Sequence, residues 1–113
     1  MTQLSFEDLP PQDIYEGIAS HIVDAFTKFH RENPGVYSLF TKYANQLMSH
    51  GVCHYGSKAI LERIRWHYEI DEKSKDFKLN NNFASCYSRL LMHQDPSFRT
   101  FFSTRSHRDL KAA

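Results

Sequence analysis

The segment IYEGIASHIVDAFTKFHR, residues 14–31, decides the fold of this chain. Its apolar residues recur every three or four positions, which places them along one face of an α-helix. The members of that face are Ile14, Ile18, Ile22, Phe26 and Phe29. Charged residues such as Asp24 and Lys28 fall on the opposite face. The pattern therefore predicts an amphipathic first helix that begins near Pro11, because proline is favoured in a first helical turn, and ends before Asn33.

The same kind of pattern continues into a second helix. Asn33 is a preferred N-cap residue, and Pro34 suits the first helical position. Apolar residues then recur at helical spacing until about His50, where Gly51 can adopt the left-handed conformation that ends many helices. The sequence therefore predicts a second helix from Pro34 to about His50.

Three more helices complete the predicted fold. Ser57 is the expected N-cap of a third helix, and one of the asparagines at 80–82 is the expected N-cap of a fourth. Asp95-Pro96 is expected to begin a short fifth helix. Phe77 and Leu79 are expected to fix the loop before the fourth helix to the core. No convincing pair of strand patterns interrupts these segments. The predicted fold is therefore all-α, a compact orthogonal bundle of about five helices.

Length and composition favour one domain. The chain has 113 residues, of which 41% are hydrophobic and 24% charged, as is typical of a single globular core. We expect residues 1–113 to form that domain, with a flexible acidic arm at 1–10 and a basic tail at 103–113. No apolar run approaches the ~20 residues of a membrane helix, the first residues are acidic, and cysteines are few. These features predict a cytoplasmic protein without a membrane partner.

Four short motifs resemble a known group of sequences. They are Asn33-Pro34, Arg65-Trp66, the stretch from Phe77 to Asn82 and the stretch from Tyr87 to Leu90. Together they resemble an uncharacterised group of short helical proteins of phages, prophages and bacteria. The resemblance covers most of the chain and implies no particular activity. It does imply a mobile-element context, in which small proteins bind DNA, act on host machinery or block host defence.

Basic and aromatic residues of the third helix favour nucleic-acid binding. The candidates are Lys58, Arg63, Arg65 and Trp66, with Arg105 and Arg108 in the basic tail. Cationic side chains contact phosphates, and an aromatic ring can stack on a base. A formal net charge of only +1 and the glutamates of the same helix favour the alternative, a solvated helix with local salt bridges.

The asparagines before the fourth helix form a second candidate contact site. One of them is expected to cap that helix. Asn80 and Asn81 could also combine with Arg89 and Arg63, because amide and guanidinium groups form paired hydrogen bonds with a base, a phosphate or a carboxylate. The alternative is a buried polar network that fastens this loop to the third and fourth helices.

Metal-binding and catalytic patterns are weak. His50, Cys53 and His54 form the best local cluster, but structural zinc normally uses two paired ligand elements. The carboxylates between Glu62 and Glu72 could hold magnesium in a nuclease, although a charged helix end also explains them. No phosphate-binding glycine loop or catalytic signature occurs. We therefore predict no cofactor and favour a non-enzymatic role.

Three functions stand as hypotheses. The leading one is a non-enzymatic accessory protein of a phage or mobile element that binds DNA or RNA through the third helix and the basic tail. The first alternative is a protein-binding inhibitor of a host or anti-phage defence factor, with the acidic arm and the aromatics Tyr15, Tyr37 and Phe98 at the contact. The second alternative is a small metal-dependent nuclease. The sequence assigns no oligomeric state.

Overall fold

The computed structural model describes residues 12–73 and 77–102. Over these ranges the chain forms four α-helices: α1 (Ser20–Glu32), α2 (Pro34–Ser49), α3 (Ser57–Trp66) and α4 (Ala84–Gln94). Short 3₁₀ turns at Gln12–Tyr15, Asn81–Phe83 and Pro96–Phe98 accompany them, and a π turn, His67–Asp71, extends α3. The described residues form no strand, so the prediction of an all-α fold is confirmed. The predicted acidic arm and basic tail lie outside the described residues.

The first helix begins later than the sequence predicted. Residues Gln12–Tyr15 form a 3₁₀ turn, and Gly17 has a φ of 91°, which an α-helix does not accept. The regular helix therefore starts at Ser20 rather than near Pro11. The hydrophobic spacing continues through this break because both segments lie on the same core, where Ile14 and Ile18 are half-buried.

The junction between α1 and α2 is where the sequence placed it, but Asn33 acts differently. Pro34 occupies the first position of α2, and Asn33 occupies the N-cap position. The Asn33 side chain makes no capping bond to α2; its Nδ2 donates instead to the Phe29 carbonyl at the end of α1, at 3.2 Å. Gly51 has a φ of 89° just beyond α2, which confirms the predicted left-handed stop.

The later helix boundaries follow the predicted capping residues closely. Gly56 is the N-cap of α3, so Ser57 is its first residue and not its cap. Asn80 caps the turn that leads into α4, since its Oδ1 accepts from the backbone N–H of Asn82 at 2.8 Å. Asp95 caps the predicted fifth helix, which is a single 3₁₀ turn at Pro96–Phe98.

The core is built around α4. Leu90 and Tyr87 of this helix are fully buried, and aromatic rings from α1 and α2 enclose Tyr87. Its ring centroid lies 4.8 Å from that of Phe26 and 5.4 Å from that of Phe40. Phe26 meets Tyr87 edge to face and Phe40 stacks on it. Burial of such rings is the main favourable term in folding, and their pairing adds to it. Ile64 brings α3 onto the same core.

The loop before α4 is attached to the core as predicted. The Phe77 ring stacks on Tyr68 at a centroid distance of 4.0 Å, and Leu79 is 6% exposed. Among the residues that the structure describes, none belongs to a helix long and apolar enough to cross a membrane.

Candidate binding surface on α2 and α3

Arg65 fastens the loop before α4 to α3. Its Nη1 donates to Glu62 Oε2 at 2.7 Å, and its Nη2 donates to the Leu79 carbonyl at 2.6 Å and to Asn81 Oδ1. Its side chain is only 23% exposed. Arg65 and Asn81, both predicted as contact residues, therefore form the polar network that the sequence offered as the alternative.

Arg89 and Asn80 also have structural contacts. Arg89 Nη1 donates to the backbone carbonyls of Ile14 and Glu16, which holds the first 3₁₀ turn against α4. The Asn80 side chain caps the turn into α4. The structure thus divides the predicted asparagine–arginine patch, because each member bonds to a different part of the fold. We exclude Arg65, Arg89, Asn80 and Asn81 from the candidate binding surface.

The two remaining cations of α3 do not share a face. Lys58 and Arg63 are five positions apart, which separates them by about 140° around an α-helix. Lys58 lies on the same side of α3 as Glu62, which is one turn further along the helix. Arg63 faces α2, where its guanidinium carbon is 4.8 Å from the centre of the Tyr43 ring. Arg105 and Arg108 lie outside the described residues. The predicted set therefore does not form one continuous basic surface in this part of the chain.

Trp66 is the most exposed large apolar side chain in the described ranges. It is 61% exposed, Ile70 in the following turn is 54% exposed, and Tyr55 is 36% exposed. The sequence placed Trp66 among the contact residues, but the exposure of Ile70 was not predicted. The charged residues Glu69 and Asp71 on either side of Ile70 are the sequence feature that could have indicated its exposure.

Two of the three aromatics that the sequence proposed for a protein contact are buried. Tyr15 is 8% exposed and Phe98 is fully buried, so neither can meet a partner. Tyr37 is half-buried, its hydroxyl donates to Gln94 Oε1 at 2.6 Å, and burial raises its pKa to about 12. These rings stabilise the core because they lie on the inner faces of their segments.

A groove of about 350 Å³ runs between α2 and α3. Leu47 and Ile60 supply apolar surface, and Tyr43 and Tyr55 supply aromatic surface. The backbone N–H of Tyr55 donates to the Phe101 carbonyl at 3.0 Å, which fixes the connection between the two helices. The remaining lining residues are Gln46, His50, Ala59 and Arg63. None of the lining residues is acidic.

The histidine and cysteine candidates for a metal site do not share a common centre, because each has different surroundings. The Nδ1 atoms of His50 and His54 lie 2.8 Å and 3.1 Å from backbone carbonyl oxygens, and Cys53 is exposed. Cys86 is buried in the core, where burial raises the pKa of its thiol to about 11. Within residues 12–73 and 77–102, no three histidine, cysteine or acidic side chains are grouped to hold a metal.

Three of the four carboxylates that favoured a nuclease have partners among the described residues. His67 lies between two of them, with Nδ1 3.3 Å from Asp71 Oδ2 and Nε2 3.3 Å from Glu72 Oε2. Glu62 accepts a hydrogen bond from Arg65. These three carboxylates therefore take part in contacts within α3 and the turn that follows it.

Comparison with protein-family models, curated proteins and solved structures gave no match. The choice between the proposed functions therefore rests on the chemistry of the surface itself. The groove together with Arg63, Trp66 and Ile70 is called the α2–α3 surface from here on. It offers apolar area, aromatic rings and one guanidinium, which is a set suited to non-covalent binding.

Proposed function

We propose that this chain is a non-enzymatic accessory protein that binds another protein through the α2–α3 surface. The observation that carries the proposal is the 61% exposure of Trp66, with Ile70 exposed in the next turn. Covering exposed apolar surface with a partner is favourable by about 25 cal/mol per Å² of the area covered. Tryptophan, tyrosine and arginine are also the residue types that dominate protein-binding hot spots. Tyr43, Tyr55 and Arg63 line the groove, and Trp66 lies three positions after Arg63, on the same side of α3.

The resemblance to phage and prophage proteins supports a host or anti-phage defence factor as the partner. The partner would cover Trp66 and Ile70, and the groove would take a side chain from it. This corresponds to the protein-binding alternative of the sequence analysis, but with a different contact surface. Trp66 and Ile70 of the new surface are exposed, whereas Tyr15 and Phe98 are inside the fold.

Nucleic-acid binding is the second candidate. It is favoured by the exposed Trp66 ring, on which a base could stack, and by Arg63 beside it. Phosphate backbones require several cations on one surface. Lys58 faces away from Arg63, Arg65 is engaged internally, and acidic residues follow Trp66 at 69, 71 and 72. The protein partner therefore has the stronger support.

Photo-cross-linking distinguishes the two partners directly. The photoreactive residue p-benzoylphenylalanine replaces Ile70, which leaves Trp66 intact, and the protein is irradiated in a bacterial extract. A matched control carries the same residue in place of the exposed Asp24 on α1. We expect a discrete adduct from position 70 that is removed by protease but not by nuclease. The substitution Trp66→Ser should abolish this adduct.

Other outcomes of the cross-linking have defined meanings. An adduct that nuclease removes would replace the proposal by the nucleic-acid function. Equal adducts from positions 70 and 24 would show non-specific contact and would contradict both functions. Anisotropy of labelled DNA and RNA over a salt series provides an independent check, because phosphate contacts weaken log-linearly with salt.

A further inference from the structure

We propose that the groove binds an acidic segment of the partner protein, with an apolar or aromatic side chain between the two helices and a neighbouring carboxylate on Arg63. The proposal rests on the proposed function, since it specifies the partner of the same surface. It is carried by the shape of the groove and by the charge of its lining.

The size and lining of the groove suit an apolar side chain together with the short stretch of backbone that carries it. Ligand-binding pockets occupy on the order of 300–1,000 Å³, and this groove, at about 350 Å³, is near the lower limit. Its apolar surface comes from Leu47 and Ile60, and Tyr43 and Tyr55 can contact the edges or faces of a ring. A cavity of about 150 Å³ already holds a benzene ring, so an apolar or aromatic side chain fills part of this groove and the rest admits the backbone on either side of it.

Arg63 gives the groove its charge preference. Among the described residues no carboxylate forms an ion pair with Arg63, whereas Arg65 on the same helix is 2.7 Å from Glu62. None of the residues that line the groove is acidic. A carboxylate from a partner would therefore supply the missing countercharge on this side of α3.

The guanidinium of Arg63 is already positioned for such a contact. Its central carbon lies 4.8 Å from the centre of the Tyr43 ring, a distance typical of a cation–π interaction. The guanidinium is planar, so stacking on a ring leaves its in-plane N–H groups free to donate two hydrogen bonds to one carboxylate. Less side-chain entropy is then lost when the partner binds.

A peptide carboxylate fits this environment better than a nucleic-acid phosphate. A bound strand places one phosphate after another along the surface, and each requires a cation nearby. Here the lining of the groove supplies one arginine, and Glu69, Asp71 and Glu72, which would repel a long run of phosphates, lie outside that lining. A short acidic peptide with one apolar residue needs a single arginine and a single pocket.

The test uses three short peptides and one oligonucleotide as probes, followed by ¹H–¹⁵N correlation spectra of the whole chain. The probes are acetyl-Glu-Phe-Glu-amide, its lysine counterpart acetyl-Lys-Phe-Lys-amide, acetyl-Glu-Gly-Glu-amide and a short oligothymidylate. We expect only the Glu-Phe-Glu peptide to produce saturable shifts at the amides of Ala59 and Arg63. Arg63→Gln should weaken this binding about tenfold, the usual effect of removing one such charged contact.

Lys58→Gln is the matched control, because it removes a positive charge from the other flank of the same helix. It should leave the affinity unchanged, and the spectra themselves report whether each variant is folded. The proposal is overturned if the lysine peptide or the oligothymidylate shifts the same amides as strongly, if Arg63→Gln binds like the wild type, or if no probe shifts them.

Failure here is distinguishable from failure of the proposed function. A protease-sensitive adduct at position 70 that depends on Trp66, together with a negative peptide result, would retain the protein partner and reject the acidic segment. Loss of both results would reject both.

Discussion

Replacing Arg65 with alanine is expected to destabilise the fold, although the residue was predicted from sequence to be a surface contact. The guanidinium donates to the Leu79 carbonyl, on a residue only 6% exposed, and to Asn81 Oδ1. Hydrogen bonds from a charged donor contribute about 1.5–3 kcal/mol each when they are buried. The Glu62 carboxylate is 65% exposed, so its ion pair adds only about 0–1 kcal/mol.

The expected loss for Arg65→Ala is therefore about 2–3 kcal/mol in the free energy of unfolding, since the Asn81 bond is exposed and contributes less than the Leu79 bond. Arg63→Ala on the same helix is the matched control. It removes a surface cation–π contact of about 0.5–1 kcal/mol and no hydrogen bond to the backbone. Comparing the two variants separates the structural arginine from the exposed one.

Urea denaturation, analysed at a common m-value, measures both free energies. Hydrogen exchange provides a local check, because the Asn82 amide bonds to Asn80 Oδ1 in the segment that Arg65 holds and should exchange faster in Arg65→Ala. Equal stability of the Arg65 and Arg63 variants, within about 0.5 kcal/mol, would refute the structural role assigned to Arg65.

Three further predictions concern pH, a buried hydroxyl and two glycines. Burial lowers the pKa of His30 below its ordinary 6.5, so the fold should lose stability as pH falls below about 6.5. In urea melts, His30→Gln should reduce this loss of stability, whereas the control His21→Gln, at an exposed position, should not. The Tyr87 hydroxyl is buried with no hydrogen-bond partner among the described residues, so Tyr87→Phe should raise the unfolding free energy by about 1 kcal/mol; a decrease would indicate a bound water there. Gly51 has a φ of 89° and open space around it, so Gly51→Ala should cost about 1 kcal/mol by thermal melting, whereas Gly56→Ser should gain a few tenths because it adds an N-cap to α3.

The helices were predictable where local chemistry decides them. The start of α2 at Pro34 and its left-handed stop at Gly51 depend on backbone geometry that neighbouring residues dictate. The Asn80 and Asp95 caps are equally local. The start of α1 was predicted too early, because the 3₁₀ turn and the break at Gly17 are held by Arg89, a residue distant in sequence.

The candidate site was only partly predictable. Arg63 and Arg65 are two positions apart and chemically identical, yet one is stacked on Tyr43 and the other bonds to the loop at Leu79. They lie about 160° apart around α3, so the packing of other segments against the helix gives each a different environment. Sequence spacing shows that they face different directions, but not which of them faces outward.

The sequence by itself determined the all-α class, most helix boundaries and the main apolar faces, because these follow from periodicity and capping between near neighbours. Only the tertiary structure decided which polar and aromatic side chains are available to a partner. Tyr87 and Trp66 both belong to amphipathic helices, but Tyr87 is fully buried and Trp66 is 61% exposed. Burial depends on contacts between segments far apart in the chain, and no local pattern specifies those contacts.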